Sequence, residues 1–99
     1  MLETLQSADF IPQLHQMFRI QLDGIEPIDL ELVQVSELGA PYSAGRRAPF
    51  SLLFLGPLGK QYLRQNTYHV ENGHMEALDL FIVPLGLLAG RIQYEVILT

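Results

Sequence analysis

The segment Leu78-Asp79-Leu80-Phe81-Ile82-Val83-Pro84-Leu85-Gly86 limits the possible fold of this chain more than any other. Its apolar, β-branched and aromatic residues are typical of a strand, and the proline and glycine predict a turn that ends it. The segment Phe50-Ser51-Leu52-Leu53-Phe54-Leu55-Gly56-Pro57 has the same pattern. Both segments predict β-structure, and neither contains a group of reactive side chains.

The rest of the chain extends this pattern to six strands. Alternating or continuous apolar residues predict strands over 17–22, 28–38, 50–55, 67–71, 78–83 and 92–99. Ser7 is a candidate cap for one short N-terminal helix, which Pro12 should end. We therefore predict a single all-β domain over residues 1–99, a six-stranded antiparallel meander closed as a small barrel or packed as a sandwich.

Two details of the second and third predicted strands carry further information. The apolar positions shift from Ile28, Leu30 and Leu32 to Val33 and Val35, and such a change of phase predicts a β-bulge or a sharp bend. The turn-forming segment 39–49 is long for a compact domain, so it is the loop in which we first look for function.

Composition excludes several kinds of partner and site. Six basic residues against eleven acidic ones, a net charge of −5, oppose binding to nucleic acid and to anionic membranes. Without cysteine there is no disulfide and no thiolate metal site. The acidic N-terminus lacks the features of a secretory signal, and we expect a cytoplasmic protein without a cofactor. An apolar content of 48% leads us to expect a homo-oligomer or a protein partner.

The segment His69-x-Glu71-x-x-His74-x-Glu76 is the sharpest candidate for a metal site. A two-residue turn at Asn72-Gly73 would bring these four side chains onto one face of a hairpin. That register, however, conflicts with the apolar positions of the following strand. We therefore predict an odd-length loop within 72–76, which separates the four side chains, and no metal site.

Two further groups of residues are candidates for binding. Tyr42, Arg46 and Arg47 could hold a carboxylate or phosphate in the long loop, although the arginines could equally pair with nearby acids. The apolar residues Leu85, Leu87 and Leu88 follow the most apolar strand, where they could cap the core or form a subunit contact.

Several short motifs, taken in order, resemble those of a family of small bacterial domains of unknown function. They include Asp9-Phe10, Phe18-Arg19, Thr67-Tyr68, Tyr94-Glu95 and, at greatest length, the two strand segments that begin at Phe50 and Leu80. The resemblance spans nearly the whole chain. It implies one β-domain of about 100 residues, with no catalytic residue, and an occurrence near phage-tail-collar-like proteins that suggests an accessory or structural role.

These observations rank three functions. The first is a non-enzymatic structural or protein-interaction module that self-associates or joins a larger, phage-tail-like assembly. The second is a barrel that binds a small ligand, with Tyr42, Arg46 and Arg47 at its mouth and Phe50, Phe54, Tyr68 and Tyr94 lining its interior. The third is a metal-dependent enzyme that uses His69 and His74.

Overall fold

The computed structural model describes residues 2–59 and 62–99. One short helix, α1, and two single 3₁₀ turns at Leu2–Thr4 and Ile11–Gln13 precede a set of strands. The elements are α1 (Ser7–Phe10), β1 (Met17–Ile20), β2 (Ile28–Glu37), β3 (Phe50–Leu58), β4 (Asn66–Asn72), β5 (Met75–Leu88) and β6 (Arg91–Leu98).

The strands form a closed antiparallel barrel in the order β1-β2-β3-β6-β5-β4. The predicted six-stranded antiparallel fold with a short N-terminal helix is confirmed, and it is a barrel. The predicted meander is wrong, because β3 pairs with β6 and β1 pairs with β4 instead of each strand pairing only with its neighbours in sequence. These two non-sequential pairings close the sheet, so that it has no continuous free edge.

The predicted irregularity in β2 is confirmed as a β-bulge. Leu32 pairs with Phe54 and Gln34 pairs with Leu53, so Val33 is the additional residue. Because one extra residue reverses the side-chain alternation, the bulge lets the strand follow the curved wall of the barrel while Leu30 and Leu32 stay in the core.

The predicted ends of β3 and β5 are wrong. β3 continues through Gly56-Pro57 to Leu58, and β5 continues through Pro84-Leu85-Gly86 to Leu88. In both strands the residues that predicted a turn lie at a register shift, between Leu55 and Leu58 and between Pro84 and Gly86. Bulges tolerate proline and glycine in a strand, since the ladder is already interrupted there.

The interior of the barrel is filled by apolar side chains. Phe18 packs edge-on against Phe54 with ring centroids 5.2 Å apart, and Phe10 lies 5.7 Å from Phe50. The buried set is Phe10, Phe18, Ile20, Ile28, Leu30, Leu32, Phe50, Leu52, Phe54, Leu63, Val70, Leu78, Leu80, Ile82, Tyr94, Val96 and Leu98. This packing places Phe50, Phe54 and Tyr94 in a solid core rather than around a cavity.

The N-terminal segment covers one end of the barrel. Phe10 is fully buried, and Leu2, Leu5 and Leu14 pack against the core. The residue that caps α1 is Gln6 rather than the predicted Ser7, and the Gln6 backbone N–H donates to Asp9 Oδ2 at 2.8 Å. The loop between β2 and β3 and the turn between β4 and β5 lie at this same end, which we call the helix end.

Candidate interaction surface

The opposite end of the barrel carries a projecting ribbon. We define the ribbon as residues 83–93 of the β5–β6 hairpin together with Leu58 of β3. Four of its leucine side chains are largely exposed: Leu58 (75%), Leu85 (52%), Leu87 (70%) and Leu88 (52%). The three predicted interface residues Leu85, Leu87 and Leu88 therefore lie together on the surface, and the structure adds Leu58 to them.

Strand register explains why the leucines gather. Arg91 of β6 pairs with Leu58 on one side and with Leu88 on the other, so these three side chains form one row across the ribbon. Leu87 pairs with Ile92 in the next row. The segment predicted as an apolar loop is thus a hairpin, whose turn is made by Ala89 and Gly90 with φ of 51° and 80°. Two successive positive φ values are typical of the tight turns that suit the twist of a hairpin.

The β5 strand has different neighbours along its two halves. From Met75 to Ile82 it pairs with β4, and from Val83 to Leu88 it pairs with β6. Within the described residues, no strand register continues β4 beside the second half of β5. One edge of the ribbon is therefore open, although Pro84 has no backbone N–H to offer there.

A polar cluster fixes the base of the ribbon to β2. Arg91 donates from Nε to the Gly56 carbonyl oxygen at 2.7 Å and from Nη2 to Glu31 Oε1 at 3.2 Å. The other Glu31 oxygen lies 3.0 Å from His15 Nδ1. These contacts, with the hydrogen bond to His15 as the largest cause, hold the pKa of Glu31 below its usual value. The cluster positions the ribbon and leaves the leucine surface uncharged.

The long loop, residues 38–49, does not bring its three predicted binding residues together. Tyr42 is 75% exposed and Arg46 is exposed. Arg47, by contrast, donates from Nη1 to the carbonyl oxygens of Leu2 (2.6 Å) and Leu5 (2.5 Å), and from Nε to that of Thr99 at 3.2 Å. Its guanidinium also lies 5.5 Å from the centroid of the Phe50 ring. Arg47 thus joins both chain termini to the barrel.

The histidines of the β4–β5 hairpin lie apart. Asn72 pairs with Met75, so the loop is Gly73-His74, and a register shift between Val70 and Asn72 restores the alternation of the apolar residues. The predicted odd-length loop is therefore wrong, because a bulge supplies the extra residue in the strand. His69 Nδ1 lies 3.0 Å from Asp79 Oδ1. Within residues 2–59 and 62–99, no group of three or more potential ligand side chains could hold a metal ion.

Sequence reasoning missed Leu58, Arg91 and Glu31. Gly56-Pro57 indicated the end of a strand, and this hid Leu58, while the Glu31–Arg91 contact joins residues 60 positions apart. The only local signal was the apolar character of residues 80–90, which identified Leu85, Leu87 and Leu88.

The fold and the ribbon define a class of protein: a small six-stranded antiparallel barrel closed by an N-terminal helix at one end and extended by an apolar hairpin at the other. The model of one family, described as "Domain of unknown function (DUF6916)", matches residues 5–98, and the chain belongs to that family. Neither the curated proteins nor the solved structures include a significant match. None of the helical segments in the described part of the chain has the length and apolarity that crossing a bilayer requires.

Proposed function

We propose that this domain is a non-enzymatic protein-interaction module that self-associates through the ribbon. The observation that carries the proposal is the row of exposed leucines on one hairpin. Exposed apolar side chains that lie close together are costly in water, and burying them against a partner removes that cost.

A second copy of this chain is the partner that charge favours. The chain carries a net charge of −5, so most approaches of two copies bring like charges together. Residues 80–90 contain no charged side chain. Two copies that meet through their ribbons bury leucine against leucine with the least electrostatic repulsion. Because Pro84 weakens hydrogen bonding along the open β5 edge, side-chain burial supplies most of the attraction.

Sedimentation velocity over a range of concentrations tests the proposal. The wild-type chain should sediment with about twice its chain mass of 11.2 kDa. The double variant Leu87→Lys/Leu88→Lys should sediment as a monomer, because dimerisation would bury two ammonium groups per chain. The matched control is Leu38→Lys, whose leucine is 48% exposed in the long loop and should not matter. A wild-type chain that stays monomeric up to about 1 mM would refute self-association.

The resemblance described above suggests where such a module would act. We propose a cytoplasmic accessory or structural role in a larger, phage-tail-like assembly, with protein rather than nucleic acid or membrane as the partner. The absence of cysteine and the acidic charge support the cytoplasm and oppose nucleic acid, respectively. A self-associating ribbon is well suited to an assembly built from repeated copies.

A further inference from the structure

A groove lies at the ribbon end of the barrel, beside the turn between β1 and β2. It encloses about 410 Å³, within the range of small-molecule sites. Its lining residues come from two connecting segments and the adjoining strands: Leu22, Ile25, Ile28, Tyr62, Leu63, Arg64, Asn66 and Tyr68. The loop of Tyr42 and Arg46 lies at the other end of β2, so this groove is distinct from the predicted mouth.

The floor of the groove is apolar and its rim is accessible. Ile28 and Leu63 are only 8% and 4% exposed, whereas Ile25 and Tyr62 are 67% and 57% exposed. Apolar floors supply most of the affinity of small-molecule sites, and a few polar groups at the rim supply orientation. The exposed aliphatic and aromatic side chains therefore form walls for an apolar group.

Two buried or half-buried tyrosine hydroxyls hold one wall in place. The Leu63 backbone N–H donates to Tyr94 Oη at 2.9 Å, and Tyr94 is almost fully buried. The Tyr68 hydroxyl donates to the Arg64 carbonyl oxygen at 2.6 Å. Because both anchors lie within the barrel wall, the backbone around Leu63 and Arg64 is fixed before any ligand arrives, which lowers the entropic cost of binding.

The charge of the groove is opposite to that of the whole molecule. The chain has a net charge of −5, yet Arg64 is the one charged side chain among the eight lining residues. Its guanidinium forms no ion pair with a carboxylate in the described part of the chain. An unpaired guanidinium beside an apolar floor has the fork geometry that recognises a carboxylate with two parallel hydrogen bonds.

We propose that this groove binds a small carboxylate attached to an aromatic or branched aliphatic group. The apolar group packs on Ile28 and Leu63 between Ile25 and Tyr62, while Arg64 holds the carboxylate. The site is independent of the leucines of the ribbon, which contribute none of its lining residues.

Titration of the ¹⁵N-labelled chain with two matched probes tests this site. The probes are 4-phenylbutanoate and 4-phenylbutylamine, which share an apolar group and differ in the sign of their charge. We expect the butanoate to produce saturable shifts of the amide signals of residues 22–28 and 62–68, and the amine to produce none of comparable size.

Charge variants distinguish specific recognition from apolar adsorption. Arg64→Gln should weaken butanoate binding about tenfold, because the amide supplies neither the charge nor the fork. The matched control Arg46→Gln removes an exposed arginine at the helix end and should leave binding unchanged. The monomeric Leu87→Lys/Leu88→Lys variant should also bind the butanoate, which separates this test from that of the ribbon. Equal binding of both probes, shifts outside the groove, or full affinity in Arg64→Gln would each overturn the proposal.

Discussion

Arg47 shows how one side chain can determine the use of a whole segment. Its sequence context, next to Arg46 in a turn-rich loop, is that of a free cation. Its position in the fold gives it three backbone carbonyl acceptors and an aromatic ring, so both termini depend on it. No local pattern predicts this role, because the acceptors at Leu2, Leu5 and Thr99 lie more than 40 positions away.

We expect Arg47→Lys to destabilise the chain by about 1–3 kcal/mol, although the charge is retained. A single ammonium cannot reach acceptors on both termini in the geometry that the guanidinium fork provides. Urea unfolding followed by circular dichroism measures the difference. Arg46→Lys, one position away and exposed, should change the free energy of unfolding by less than about 0.5 kcal/mol. Equal midpoints for the two variants would contradict this role.

Glu31 makes a prediction about pH. Its pKa is lowered in the folded chain from an ordinary value of 4.5, so the ionised carboxylate stabilises the fold. This contribution is fully present above about pH 4.5 and is lost as the pH falls through the lowered pKa. Glu31→Gln should therefore be about 1 kcal/mol less stable than wild type at pH 7.

The difference between Glu31→Gln and wild type should shrink below pH 4, where the wild-type carboxyl is also neutral. Urea midpoints measured from pH 7 to pH 3 follow this change. Glu26→Gln, which removes an exposed carboxylate from the turn between β1 and β2, serves as the control. A pH-independent gap for Glu31→Gln would mean that its effect is not electrostatic.

At the scale of the elements, period-two patterns identified all six strands and the β2 bulge, since alternation reflects which face of a strand is buried. Turn formers were less informative. Pro84 and Gly86 favour a turn in isolation, but the neighbouring β6 strand supplies partners on both sides of the bulge, and tertiary pairing prevails over local preference. The groove was not predictable, because its walls come from connecting segments about 40 positions apart in sequence.

The β5–β6 turn offers a test of this hairpin. Ala89 has a φ of 51°, in the left-handed region that alanine adopts only at a cost of about 1 kcal/mol. Asparagine tolerates that conformation better, and Asn-Gly is favoured in such turns. Ala89→Asn should therefore raise the free energy of unfolding by about 0.5 kcal/mol. Ala40→Asn, in the long loop and outside the left-handed region, should not; an equal gain from both would contradict the assigned turn.

At the scale of the whole molecule, the barrel has two kinds of outer surface. On β1 and β4 the outward residues include Arg19, His69 and Glu71, and Arg19 Nε donates to Asp29 Oδ1 at 3.0 Å, which raises the pKa of Arg19. On β3, β5 and β6 they include Leu53 and Val83, with Ile97 54% exposed. The apolar surface lies on the same strands as the ribbon, so a partner there could extend its contact along the barrel.

The integrity of the barrel depends on the N-terminal segment that covers its helix end. Phe10 is fully buried against Phe50. Phe10→Ala should lower the free energy of unfolding by about 3–4 kcal/mol, because it leaves a cavity where the segment meets the core. Ile11→Ala, at a neighbouring position that is 52% exposed, should cost much less. Thermal and urea unfolding measure both; similar losses would show that Phe10 has no special role in closing the barrel.

The continuity of β5 has a mechanical consequence. A single backbone belongs to the barrel wall up to Ile82 and to the ribbon from Val83, with no flexible joint between them. At about 3.3 Å per residue, the six residues from Val83 to Leu88 make a lever of about 20 Å. A pull on its tip is transmitted through covalent bonds and the β4 ladder to the opposite wall, so a bound partner would be held by the entire cylinder.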